Sequence, residues 1–209
     1  MIEYVIANNP DDRILQKAKD LLSKGGLVIL PTDTNWVTLA DPFSKKGVES
    51  LYQFKGEDRS HHFSLLCDTI KRASEYAHID DNAFKILRNK IPCPFTFIFE
   101  SRKPMIKALK ASKTDHQIGV RFSPSALVTK LIEFYDGPLI STNIPFEKFS
   151  DESTDELYGY QIEETLGHQA LILDPGEFEL LGQSTIIDFS SGVMELVREG
   201  SGAPSLFHL

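Results

Sequence analysis

Four basic side chains and several small polar ones stand where apolar, strand-like runs of the sequence stop: Pro31-Thr32-Asp33-Thr34, Lys55-Gly56-Glu57-Asp58-Arg59, Gly119-Val120-Arg121, Ser141-Thr142-Asn143 and Val197-Arg198-Glu199-Gly200. Lys55, Arg59, Arg121 and Arg198 are candidate anion binders, since a guanidinium fork matches phosphate or carboxylate oxygens and an ammonium supplies a compact charge. Thr32, Thr34, Ser141 and Asn143 could orient an ammonium, a carboxylate or a ribose through hydroxyl and amide groups. Each residue alone reads more readily as a surface cation or a turn-forming hydroxyl. Taken together they predict one site, because only a fold that gathers strand ends would join segments so far apart, and strand ends are the usual place for ligands in α/β proteins. The chemistry would be ligand positioning and charge neutralisation rather than covalent catalysis.

Other chemistries lose support. The sequence has no Gly-x-Ser-x-Gly, no Walker loop and no Gly-x-Gly-x-x-Gly, which removes the nucleophile-elbow hydrolase, the P-loop ATPase and the Rossmann dehydrogenase. His61-His62 has no other His or Cys at a supporting spacing, so no metal site is read there. A net charge of −8 disfavours indiscriminate RNA binding and would require any polyanion to meet a local basic cleft. Cys67 and Cys93 form neither a metal spacing nor a disulfide framework and read as reduced thiols of a cytoplasmic protein. No apolar run approaches the roughly 18 residues of a membrane span, and Met1 to Asn9 carry no export signal.

The elements that must position these residues follow from periodicity. Ile2 to Ala7 reads as a strand; Ile14, Leu15, Ala18, Leu21 and Leu22 then recur at helical spacing up to Gly25-Gly26. Leu27 to Leu30 is a buried strand that delivers Thr32, and Val48, Leu51, Tyr52 and Lys55 lie on a helix with Lys55 at its C-terminal end. Phe63 to Leu66 is a strand, followed by helices over about 69–76 and 82–90. Phe95 to Phe99 is the clearest β run, Ile118 to Phe122 is another, and Leu127, Val128, Leu131, Ile132 and Tyr135 share one helix face. Leu139 to Ser141, a helix over 155–166, and late strands at 170–173, 184–189 and 194–198 complete the chain. The order predicts an α/β protein with a mixed, twisted sheet flanked by helices, with residues 1–209 as a single domain.

The ordered set Pro-Thr-Asp-Thr, Lys-Gly-x-x-Arg, Pro-x-x-x-Thr, Gly-x-Arg, Ser-x-Asn, Ser-Thr-Ile-Ile-Asp and Val-Arg-Glu-Gly resembles the YrdC (TsaC) family, and especially its YciO branch in the paired histidines. The resemblance covers about residues 10 to 205 and implies a YrdC-like domain with a large, locally positive concave cavity. It also implies use of ATP as a substrate, with Mg²⁺ possible, in making threonylcarbamoyl-adenylate for tRNA modification. A tRNA or double-stranded RNA-binding module without synthase activity is the alternative it leaves open. Mapped by motif, Thr32, Thr34 and His61 fall near the amino-acid-like substrate, Lys55 and Arg59 near the reacting phosphate, Thr96, Ser141 and Asn143 near the nucleotide, and Arg121 and Arg198 around anionic groups. The chain departs from the synthase motif Lys-x-Arg, since Glu57 stands two residues after Lys55 and leaves Arg59 to supply the second cation.

Overall fold

The structure is a computed structural model that describes residues 1–56, 63–103, 105, 116–144, 149, 157–166 and 169–209. Apolar alternation along the strands decides its architecture. Leu27, Ile29, Trp36, Leu65, Phe97, Val120, Ile140 and Ile172 enter one buried cluster. Their chain neighbours Val28, Leu30, Val37, Leu39, Leu66, Leu139, Leu171 and Leu173 enter a second. Successive strand residues point to opposite faces, so the two clusters are the two sides of one sheet.

Among the described residues that sheet has ten strands: β1 Ile2–Tyr4, β2 Leu27–Pro31, β3 Trp36–Ala40, β4 Ser64–Leu66, β5 Phe95–Glu100, β6 Gln117–Arg121, β7 Leu139–Asn143, β8 Ala170–Asp174, β9 Thr185–Asp188 and β10 Glu195–Arg198. Their spatial order is β1-β8-β2-β3-β7-β4-β6-β5-β9-β10. Parallel pairs (β1/β8, β2/β8, β4/β6, β5/β9) mix with antiparallel ones, as the sequence predicts. Strand β3 is an addition to that reading. It follows β2 through the four-residue loop Thr32 to Asn35, and its run Trp-Val-Thr-Leu-Ala is fully buried.

Six helices accompany the sheet among the described residues: α1 Asp12–Ser23, α2 Lys45–Lys55, α3 Ile70–Ser74, α4 Asp81–Leu87, α5 Ala126–Tyr135 and α6 Gly159–Leu166. Helix α1 starts at Asp11, whose side chain accepts the Arg13 N–H, and buries Leu15, Ala18 and Leu22. Helix α5 starts at Ser125 and buries Leu127, Val128, Leu131 and Ile132. These two helices cover the second face of the sheet over β8, β2, β3, β7 and Leu66 of β4. Helix α2 packs Val48 and Leu51 into the cluster on the first face. On that face Phe95, Phe97 and Phe99 of β5 line up, and Phe207 of the C-terminal 3₁₀ turn, Pro204–Phe207, packs edge-on against Phe95 and Phe97 at 4.8 and 5.5 Å. No described helix is long and apolar enough to cross a membrane.

Candidate functional site

Beyond the cover of α1 and α5, the second face of the sheet is made by β6, β5 and β9, where Gly119, Ile98 and Ile186 are only partly buried while their neighbours Val120, Phe97 and Ile187 on the first face are fully buried. Strand register shows what stands on this half-face. Leu66, Arg121, Thr96, Ile186 and Arg198 form one row across β4, β6, β5, β9 and β10. Ser141, Ser64, Gly119, Ile98 and Asp188 form the next row, two residues along each strand. Rows two residues apart are separated by roughly 7 Å and neighbouring strands by about 4.8 Å. Arg121, Thr96, Arg198 and Ser141 therefore share one face, with Ser141 two strand steps from Arg121 on one side and Arg198 three steps from it on the other.

Gly119 is the low point of this surface. A Cβ there would lie 3.0 Å from Thr96 Cγ2 and 3.3 Å from Ser64 Oγ. Around it the hydroxyls are cross-linked. Thr96 Oγ1 and Ser184 Oγ, both buried, are 2.9 Å apart, the Ser141 hydroxyl donates to the Ser64 carbonyl at 3.2 Å, and Arg198 Nη2 donates to the Ser184 carbonyl at 2.7 Å. Arg198 Nε is buried without a partner among the described residues.

Arg121, at the end of β6, reaches the β2–β3 loop. Its Nη2 donates to Asp33 Oδ1 at 2.6 Å, and Ser123 Oγ donates to the same oxygen at 2.6 Å. The two charged side chains are 5% and 8% exposed. Burial pulls the guanidinium below its ordinary pKa against the opposing attraction of Asp33, but an arginine keeps its proton under all physiological conditions. Four strand steps separate β2 from β6, about 19 Å on a flat sheet. The twist that accumulates at roughly 20–25° per step curls the sheet and lets the loop meet Arg121.

Thr32 and Thr34 lie in that loop, both buried. Thr32 Oγ1 donates to the Asn35 carbonyl at 2.8 Å and accepts the N–H groups of Thr34 and Asn35, each at 3.1 Å, so its hydroxyl shapes the turn. The loop is held from its other side by Leu181 N–H on the Asp33 carbonyl and Gly182 N–H on the Thr34 carbonyl, both at 3.0 Å.

The structure thus brings together Thr96, Arg121, Ser141 and Arg198, with the Thr32–Thr34 loop tied to Arg121. They gather on a sheet face more than at strand ends, since Thr96 is the second residue of β5 and Ser141 the third of β7. Asn143 ends β7 and is exposed. Lys55 is the last residue of α2, capped by Gly56 at φ 67°, as the periodicity predicts, on a helix packed against the opposite face. Arg59 and His61 lie outside the described residues. Sequence reasoning did not single out Asp33, Ser123, Ser184 or Ser64. Asp33 stood inside a quoted motif, but nothing local marks it as the partner of a residue 88 positions away. Among the described residues no three His, Cys, Asp or Glu side chains group as a metal site.

A mixed α/β sheet with this polar half-face defines a class. The chain belongs to the Sua5/YciO/YrdC family, described as Telomere recombination, whose profile matches residues 20–200. Within it the chain is similar to the uncharacterized protein YciO of Escherichia coli K12, at 28% identity over 203 residues and 95% of each chain. The crystal structure of E. coli YciO superposes with a TM-score of 0.84, at 27% identity, over 99% of this chain and 98% of that one. The threonylcarbamoyl-AMP synthase of Bos taurus is 23% identical over 198 residues, 91% of this chain and 69% of that protein. The crystal structure of Pyrococcus abyssi Sua5 complexed with L-threonine shares the fold, with a TM-score of 0.80 at 19% identity over 96% of this chain and 57% of that one.

Proposed function

We propose that the chain binds ATP on the open half-face and forms or cleaves a threonylcarbamoyl-adenylate or a related carbamoyl-adenylate, in the service of tRNA modification. The observation that carries this reading is the convergence of Arg121, Thr96, Ser141 and Arg198 on one face of the sheet, two cations and two hydroxyls drawn from four strands. In this reading that face is the floor of the concave cavity that the resemblance implies. Arg121 and Arg198 take the anionic groups, Thr96, Ser141 and Asn143 the nucleotide, and the Thr32–Thr34 loop the amino-acid-like substrate. Lys55 and Arg59 enter by motif alone. The charges of Arg121 and Arg198 on that face would offset the charge that develops as a carbamate oxygen attacks the α-phosphorus and pyrophosphate leaves. Mg²⁺ on the triphosphate would add to that neutralisation, consistent with a metal held by one or two carboxylates and the substrate phosphates rather than by a protein cage. The naming of relatives as threonylcarbamoyl-AMP synthases and the L-threonine in the Sua5 crystal support the amino-acid side of the reading.

The test is thermal melting with and without ATP, together with release of pyrophosphate in the presence of L-threonine and bicarbonate. A rise in Tm with ATP and pyrophosphate release are expected. A protein that neither shifts nor consumes ATP, but binds tRNA or duplex RNA with steep salt dependence, would replace this reading with an RNA-binding one.

A further inference from the structure

Asp33 has no role in the chemistry proposed above, yet it is the acid against which Arg121 is set. A guanidinium usually meets a carboxylate as a fork, two N–H groups on two oxygens. Here one oxygen does all the work: Asp33 Oδ1 accepts from both Arg121 Nη2 and Ser123 Oγ, while Asp33 Oδ2 and Arg121 Nε are buried with no partner among the described residues. The carboxylate is placed beforehand. Its loop is pinned through the Thr32 hydroxyl on one side and by Leu181 and Gly182 on the other, and Ser123 fixes the oxygen that Arg121 uses.

From this we infer that Asp33 is a positioning residue and built-in counter-anion for Arg121. It aims the guanidinium across the sheet face and offsets its charge, so that the site discriminates against small free anions and admits only a ligand that can approach the guanidinium while Asp33 stays in place. The inference rests on the reading that Arg121 faces an anionic ligand. Removing the charge of Asp33 turns Arg121 into a general anion receptor.

The experiment compares wild type, Asp33→Asn and the double variant Asp33→Asn/Arg121→Gln by melting in graded inorganic phosphate. Asp33→Asn is expected to melt below wild type in phosphate-free buffer and to recover with phosphate by a margin several-fold larger than wild type shows. The double variant is expected to lose that gain. A deficit that stays constant at every phosphate concentration would make Asp33 a merely structural residue and overturn the inference. If Asp33→Asn does not fold without phosphate, circular dichroism of the double variant decides. A folded double variant supports charge balancing as the role of Asp33, and an unfolded one overturns it. A wild type indifferent to ATP beside an Asp33→Asn variant rescued by phosphate would sink the nucleotide reading and leave this one standing.

Discussion

Arg121 is a cation that the fold has taken out of water and matched with a single carboxylate oxygen, which makes it a structural tie between β6 and the β2–β3 loop. Breaking a buried ion pair by removing one member costs about 3–5 kcal/mol, because the other charge stays behind. Arg121→Gln is accordingly expected to lower stability by about that amount and to abolish the ATP-dependent rise in Tm, both read from one set of melting curves. The two cysteines behave in the opposite way, as inert filling. Burial pushes the Cys93 thiol up from 9.0 to about 12, and that of Cys67 further still. The folded state therefore holds these protons while the unfolded chain releases them. The stabilisation is fully present below about pH 9 and is lost as pH rises toward 12. At pH 8 both thiols are expected to resist a disulfide reagent until denaturant is added, which a thiol titration with and without guanidinium chloride checks.

At the level of strands and helices, the open half-face depends on one residue that has no side chain. Gly119→Leu would raise a branched side chain over Thr96 and Ser64. The overpacking cost is about 1–3 kcal/mol. The expected outcome is a protein with wild-type circular dichroism whose ATP-dependent shift is gone; a retained shift would move the nucleotide off this face. The strands that made this arrangement were readable where burial on both faces leaves a near-continuous apolar run, as in Leu27 to Leu30 and Phe95 to Phe99. Helix α1 was readable because Leu15, Ala18 and Leu22 keep one face. Strand β3 was not, because Trp36 follows the turn at Thr32 to Asn35 directly and leaves no boundary signal between the turn and the strand. The same limit applies to the site. Arg121 and Ser141 could be recognised as chemically capable, but whether they share a face depends on register across β7, β4 and β6, and a sequence carries period without register. Asp33 was hidden for a related reason, since its partner is set by the curl of the whole sheet.

Over the whole molecule the polar half-face is backed by an aromatic one. Every second residue of β5 alternates between them: Thr96 and Ile98 face the site, while Phe95, Phe97 and Phe99 face the core that Phe207 closes. Phe207 is 1% exposed. Phe207→Ala is expected to cost about 3–5 kcal/mol by emptying that position. Denaturant unfolding measures it, and the slope of the transition should stay unchanged if only packing is lost. Because β5 carries both layers, a loosened aromatic side should also weaken ATP stabilisation, whereas a change beneath α1, over β8 and β2 at the far half of the sheet, should leave it alone.

The pairing of β5 with β9, and of β9 with β10, has a consequence in time. Ser184 must reach Thr96, and Asp33 must find Arg121, each across 88 residues. Contacts so remote in sequence form late. During synthesis this half-face would therefore lack its β9–β10 wall until that pair of strands docks on β5.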